Sequence, residues 1–231
     1  MNPIMTDIRI INTKNRIRMG MINALKEKPL NEVTTKDIIE AAEVSRKTFY
    51  TYYNDQNDLL FEIENAMISD LVEGMKKDRE AVTQLDDTAD QVEIAKLADQ
   101  AFVETIKACA KHREVTRILL SANGDINFLS KIKKAVYKEL LARAPKLVAA
   151  NDPSVQNLKK QLPVRIPLDY LFEIYVGLMV NIIQHWLTSE DPISQRQVRG
   201  IMGAAQILSP LQLLAFADLP EDLNDIEDYQ F

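Results

Sequence analysis

Residues 34–60 read TTKDIIEAAEVSRKTFYTYYNDQNDLL, and their spacing predicts two short helices joined by a tight turn. Thr34 or Thr35 can N-cap the first helix, which runs through Lys36 to Ala42, because a threonine oxygen accepts an amide hydrogen that the first turn leaves without a partner. Ser45 does the same for the second helix, roughly Arg46 to Tyr53, and the β-branched Val44 plugs the space between the two. Ile38, Ala41 and Ala42 share a face, while Phe49 and Tyr53 sit one turn apart and point at the core. Arg46, Lys47, Thr48, Tyr50, Thr51 and Tyr52 are left for the rest of the second helix. Capped helices with basic and aromatic residues on the outside of the second have the form of a helix-turn-helix that docks on duplex DNA.

The same run resembles the DNA-binding segment of the TetR family of bacterial transcriptional regulators. The features that carry the resemblance are the pair Val33-Thr34 before the first helix, the small Ala42 and the Val44-Ser45 pair at the turn, Thr48-Phe49-Tyr50 inside the second helix, and Asp58-Leu59-Leu60 at the start of the next. It is confined to the N-terminal part of the chain; the remainder agrees only in helical outline. On this reading Arg46, Lys47 and Thr48 reach base edges, and Thr34, Thr35, Lys36, Tyr50 and Tyr52 grip phosphates, with Ser45 beside them and Lys36 also within the set that can read a base. Three positions depart from the pattern. Glycine is usual where Glu43 stands and common where Lys47 stands, and a lysine is usual where Gln56 stands. Glu43 is expected to carry a strained backbone if its φ is positive. Gln56 can donate a hydrogen bond but brings no charge, which Lys47 restores nearby.

The net charge of the chain is −6, and its average hides an asymmetry. Residues 1–54 hold nine Lys and Arg against six Asp and Glu, whereas residues 55–231 hold nineteen against twenty-eight. A basic head on an acidic body turns the head towards phosphate. With 231 residues, 46% of them hydrophobic and only six glycines, the chain is expected to be all-α, with a helix-turn-helix domain over 1–54 and a larger helical body over 55–231.

Expected helices are Asn12–Glu27, with Ile17, Met21 and Leu25 in line, and a long helix from about residue 55 carrying Leu59, Leu60, Ile63, Met67, Leu71 and Met75, so that the head-to-body boundary lies inside one helix. An acidic loop at 84–88 is followed by a helix holding Ile94, Leu97, Ala101, Phe102, Ile106 and Cys109. Then come a short helix from His112 to Leu120, a turn at SANGD (121–125), a helix from Phe128 to Leu141, and a looser segment punctuated by Pro145, Pro153 and Pro163. Helices at Leu168–Leu187 and Ser194–Leu208 close the body before an acidic tail from Asp218.

In the last two helices Leu171, Tyr175, Leu178, Ile182 and His185 recur at helical spacing, as do Val198, Ile201, Met202, Ala205 and Leu208. The first of these helices is apolar nearly all round, and Gly177, Gly203 and Ala204 permit close approach. A second buried surface is therefore expected, made of Leu171, Leu178, Ile182 and His185 with Val198, Ile201, Met202 and Ala205. The resemblance implies that such helices form a four-helix bundle between two subunits. A dimer has its own logic, because two heads can read half-sites about 34–36 Å apart. The resemblance also implies a pocket for a small effector in the body, for which Phe102, Phe128, Tyr137, Phe172, Tyr175 and Met179 are candidate lining residues, although the same spacing equally describes an ordinary core.

Two histidines, one cysteine and no glycine-rich loop give no pattern for a metal site, a nucleotide cradle or a Cys-His nucleophile, so no enzyme, cofactor or metal is expected. Asp86 with Asp87 and Glu190 with Asp191 read as solvated loop acids, and His185 beside Trp186 as a packed interface residue. Lone Cys109 fits a reducing compartment, no secretory signal opens the chain, and the most apolar helix is interrupted by Asp169 and Glu173, so a cytoplasmic protein with no membrane partner is expected. The expected function is DNA-binding regulation by a homodimer on a near-palindromic operator, with repression as the default and a small molecule as the releasing signal. The alternative is a helical protein-interaction module or co-activator without its own effector pocket.

Overall fold

The computed structural model describes residues 3–82, 102–147 and 166–208 together with Leu213. The described residues form nine α-helices and one short 3-10 turn, with no strand. Expectations that fell on 84–88, on Asp86 and Asp87, on Ile94, Leu97 and Ala101, on the segment holding Pro153 and Pro163, and on the tail from Asp218 lie outside the described residues.

Helices α1 (Pro3–Glu27), α2 (Thr35–Ala41) and α3 (Arg46–Tyr52) make the head, with a 3-10 turn at Leu30–Glu32 between the first two. Ile17, Met21 and Leu25 on α1 are buried and pack with Ile38, Phe49 and Tyr53. Helix α1 starts well before the expected Asn12, because nothing in residues 3–11 breaks the helical pattern, although residues 8–11 are exposed. Helix α4 (Gln56–Val82) buries Leu59, Leu60, Ile63 and Met67 in the head core and continues through the charged run at 76–80 into the body.

The body contains α5 (Val103–Lys111), α6 (Arg113–Leu119), α7 (Phe128–Leu147), α8 (Leu168–Thr188) and α9 (Gln195–Ile207). Helix α7 runs past the expected end at Leu141 and through Pro145, which was expected to fall in a looser segment. The first helix of the body to meet α4 is α5, whose N-terminus is held by buried Asp78: the carboxylate accepts from the amides of Glu104 at 2.9 Å and Thr105 at 2.8 Å. At the far end, Ser194 caps α9 in a reciprocal box with Gln197, as the Pro192–Ser194 punctuation predicts.

Head and body share one core, since Leu119 and Phe128 are fully buried in the cluster that contains Ile17 and Phe49. The turn at 121–125 fastens the joint. The amide of Leu30 donates to the carbonyl of Asn123 at 2.9 Å, and the Asn123 side chain donates to the carbonyl of Leu25 at 3.1 Å. A Cβ on Gly124 would stand 2.1 Å from the carbonyl oxygen of Leu119, so only glycine lets the turn close this tightly. Beneath it Glu64, 2% exposed, pairs with Lys131 at 2.6 Å, and Lys131 also reaches Asp125 at 2.8 Å. Burial pushes the Glu64 carboxyl up from its ordinary value, against the pull of Lys131.

Candidate nucleic-acid interface

The head presents α3 on a frame of caps and ion pairs. Thr34 starts α2: its hydroxyl accepts from the amide of Asp37 at 3.3 Å, and the Asp37 carboxylate accepts from the Thr34 amide at 2.8 Å and from its hydroxyl at 2.6 Å. Lys28 lies 2.8 Å from Asp37, and this ammonium, together with the Thr34 bonds, holds the carboxyl well below its usual range. Ser45 starts α3 by accepting from the amide of Thr48 at 3.0 Å, and the two hydroxyls are 2.7 Å apart. Thr35 donates to Oε1 of Gln56 at 2.9 Å. Gln56 thus works as an acceptor that ties the first turn of α4 to α2, a role its place in the sequence did not announce.

The turn between α2 and α3 has the strain expected at Glu43, whose φ is +50°. Arg16 of α1 steadies it, donating to the Glu43 carbonyl at 2.6 Å with the guanidinium 3.8 Å from the Glu43 carboxylate. Behind α3, Glu62 gathers three donors: Tyr53 at 2.7 Å, Lys14 at 2.7 Å and Arg18 at 2.7 and 3.1 Å. Burial alone would push Glu62 up, but the hydrogen bonds from Lys14, Tyr53 and Arg18 outweigh it and hold the carboxyl at about 2. Burial of the Tyr53 phenol, with Glu62 beside it, pushes that group up.

What remains on the outer side of α3 is Arg46, Lys47 and Tyr50, all exposed. The Arg46 guanidinium stands 5.8 Å from the centre of the Tyr50 ring, and Tyr50 meets the buried Phe49 edge-on at 5.5 Å. Among the described residues neither Arg46 nor Lys47 has an ion-pair partner. Lys36 lies on α2 with its ammonium 3.7 Å from Glu40. Tyr52 is half-buried against the head core. The hydroxyls of Thr34, Thr35, Ser45 and Thr48 are therefore engaged inside the head, while Arg46, Lys47 and Tyr50 face outward. Arg9, Asn12, Thr13 and Arg16 of α1 border the turn and the start of α3, a juxtaposition for which the helix-turn-helix sequence carries no signal.

Within the body lies a cavity of about 90 Å³ between α4, α5, α6, α7, α8 and α9. Phe102, Phe128, Tyr175 and Met179 line it, as expected. Tyr137 and Phe172 do not: they pack on each other, rings 4.4 Å apart, in a cluster behind the wall that Val136 and Val180 contribute to the cavity. Helix α4 supplies Met67, Leu71 and Met75, and the polar part of the wall is Thr105, His112, Thr116 and Gln184. His112 pairs through Nε2 with Asp70 of α4 at 2.7 Å, where Lys111 also binds at 2.6 Å. Cys109 lines the same cavity, and burial pushes its thiol up to about 12.

Of the residues expected between subunits, Val198, Met202 and Ala205 are buried in the chain's own core with Trp186 and Leu187. Ile182 is half-buried against the same core. Leu171, Leu178, His185 and Ile201 face outward, and Leu168, Tyr170 and Ile174 extend their stripe along α8. Glu190 and Asp191 are exposed. Among the described residues no helix is long and apolar enough to cross a membrane.

No curated protein matches the chain. Among solved structures, the chain is similar to a TetR transcriptional regulator from Streptococcus agalactiae 2603V, with 20% identity and a TM-score of 0.52 over 88% of this chain and 98% of that one. It is also similar to the dihydroxyacetone kinase operon activator DhaS, with 13% identity and a TM-score of 0.47 over 84% of this chain and 96% of that one. The first likeness shows a shared fold. Residues 22–63, which run from the buried face of α1 through α2 and α3 to the first turns of α4, match the model of bacterial regulatory proteins, tetR family. The matched stretch is the one that carries the helix-turn-helix, so the likeness to this family rests on the head.

Proposed function

We propose that the protein is a cytoplasmic homodimeric transcriptional repressor that binds a near-palindromic operator through α3 and is released by a small, uncharged, largely apolar effector held in the body. The observation that carries the reading is the outer face of α3: Arg46 and Lys47 are exposed and without ion-pair partners among the described residues, on a short helix fixed by the Ser45 cap and the buried Phe49. Exposed cations with no carboxylate paired to them among the described residues are available to pair with an anion brought by a partner, such as a DNA phosphate.

Dimerisation is supported by the outward stripe of Leu168, Leu171, Ile174 and Leu178 on α8 with Ile201 on α9, since contiguous exposed apolar surface favours a partner. A Cβ added at Gly177 or Gly200 would meet nothing within 4 Å, leaving open space above both helices for a second copy to approach. The effector reading is supported by the cavity, whose lining is apolar apart from a few neutral hydrogen-bonding groups and His112. The cavity touches α4, the helix that enters the head, so an occupant that favours one position of α4 can change the spacing of two heads by as much as its differential affinity allows.

The test is Arg46→Ala against the operator that the protein selects from random duplexes. A loss of about 1–3 kcal/mol on the selected sequence, with little change on unrelated duplex, is expected. Equal losses on every sequence would reduce Arg46 to a phosphate contact, and no loss on either would remove α3 as the reading helix.

A further inference from the structure

Helix α1 is longer than the head core requires. Its buried residues begin at Ile17, whereas residues 8–12 are all exposed. The projecting turns are not idle surface, because Arg9, Asn12, Thr13 and Arg16 fall on one helical face. With Glu43, Val44, Ser45 and Thr48 that face encloses a groove of about 680 Å³, open to solvent and bounded on its other side by the N-cap of α3.

The polar groups of this groove divide into two sets. Thr13 donates to the Arg9 carbonyl at 2.8 Å, Ser45 and Thr48 bond to each other, and Arg16 holds the Glu43 carbonyl. The one carboxylate, Glu43, already faces Arg16 at 3.8 Å. The Arg9 guanidinium and the Asn12 amide have no side-chain partner among the described residues. A cation and an amide donor thus line a groove whose far wall leads directly into Arg46 and Lys47.

We propose that this groove is a second DNA contact, taking the phosphodiester backbone next to the base pairs that α3 reads, with Arg9 paired to a phosphate and Asn12 donating to the same strand. The proposal rests on α3 as the reading helix. Charge complementarity and continuity with α3 select DNA as the occupant: the groove is cationic, and a strand leaving the base pairs under Arg46 passes its mouth. Contacts of this kind fix register and add affinity without reading sequence. They also lengthen the footprint of each half-site beyond what one seven-residue helix covers.

The full-length protein is tested by fluorescence anisotropy on its selected operator, either trimmed to the base pairs contacted by α3 or extended by several base pairs on each side. Arg9→Gln is expected to weaken binding to the extended duplex roughly tenfold, the weight of one charge-assisted contact per protomer. The slope of log affinity against log salt should fall by about 0.9 per protomer, with sequence preference unchanged. Asn12→Ala should weaken the same duplex to a lesser degree without altering the slope. Neither side chain makes a hydrogen bond or ion pair with another described residue, so both variants should melt at the wild-type temperature. On the trimmed duplex wild type and Arg9→Gln should bind alike. An unchanged salt slope in Arg9→Gln overturns the proposal, as does wild-type binding that is indifferent to duplex length. Failure of α3 as the reading helix is seen separately, in Arg46→Ala retaining full affinity for the selected sequence.

Discussion

Glu62 shows how much of the head rests on a single side chain. It joins α4 to Lys14 and Arg18 of α1 and to Tyr53 at the end of α3, and its carboxyl sits at about 2 in the folded protein against 4.5 for the free group. A depressed carboxyl stabilises the fold above its unfolded value and loses that contribution as pH falls through the folded one. Stability should therefore drop between about pH 4.5 and pH 2 in the wild type. In Glu62→Gln the drop should be smaller by about 1–2 kcal/mol, after discounting for solvent at a partly exposed site. Denaturant midpoints measured down this pH range check it, and a constant gap between the two proteins would contradict the assignment. None of this was visible in the sequence, where Glu62 is one acid on a long amphipathic helix and its three donors lie on other elements. Glu43 was legible, because an L-residue in a turn that favours glycine signals positive φ whatever surrounds it. Its partner Arg16 was not, since the pairing depends on how α1 crosses the turn.

At the scale of elements, caps and periodicity were enough to place α2, α3, α6, α8 and α9 close to where they stand, because Thr34, Ser45, Pro192–Ser194 and the buried stripes act locally. The ends of α1 and α7 were missed for a shared reason. Residues 8–11 are exposed and Pro145 is an ordinary helix breaker, so local signals argued for shorter helices than those that formed. Long-range capping was equally hidden. Asp78 looks like part of a solvated charge run, yet it is 2% exposed and holds the first amides of α5. Asp78→Ala leaves those two donors buried without an acceptor and should cost about 1–3 kcal/mol. Urea unfolding of the variant measures it; a loss within a few tenths of a kcal/mol would mean that water replaces the carboxylate.

For the whole molecule, periodicity identified inner faces but could not say which of them meet. Phe102, Phe128, Tyr175 and Met179 converge on the cavity, whereas Tyr137 and Phe172, with the same spacing and chemistry, pack on each other behind its wall. The same ambiguity split α9: Val198, Met202 and Ala205 complete the chain's own core, and Ile201 faces outward. A stripe tells a helix to find a partner without telling it whose. The charge asymmetry between head and body, by contrast, is a property of the chain and needs no coordinates; it directs one end of the protein towards phosphate. The central claim, that a dimer grips duplex DNA through the basic face of α3, is tested most directly by titrating the full-length protein onto its selected duplex over a series of salt concentrations. The account predicts two protomers per near-palindromic site and a log affinity that falls linearly with log salt. Selection that recovers no duplex, or an affinity that does not move with salt, would contradict it.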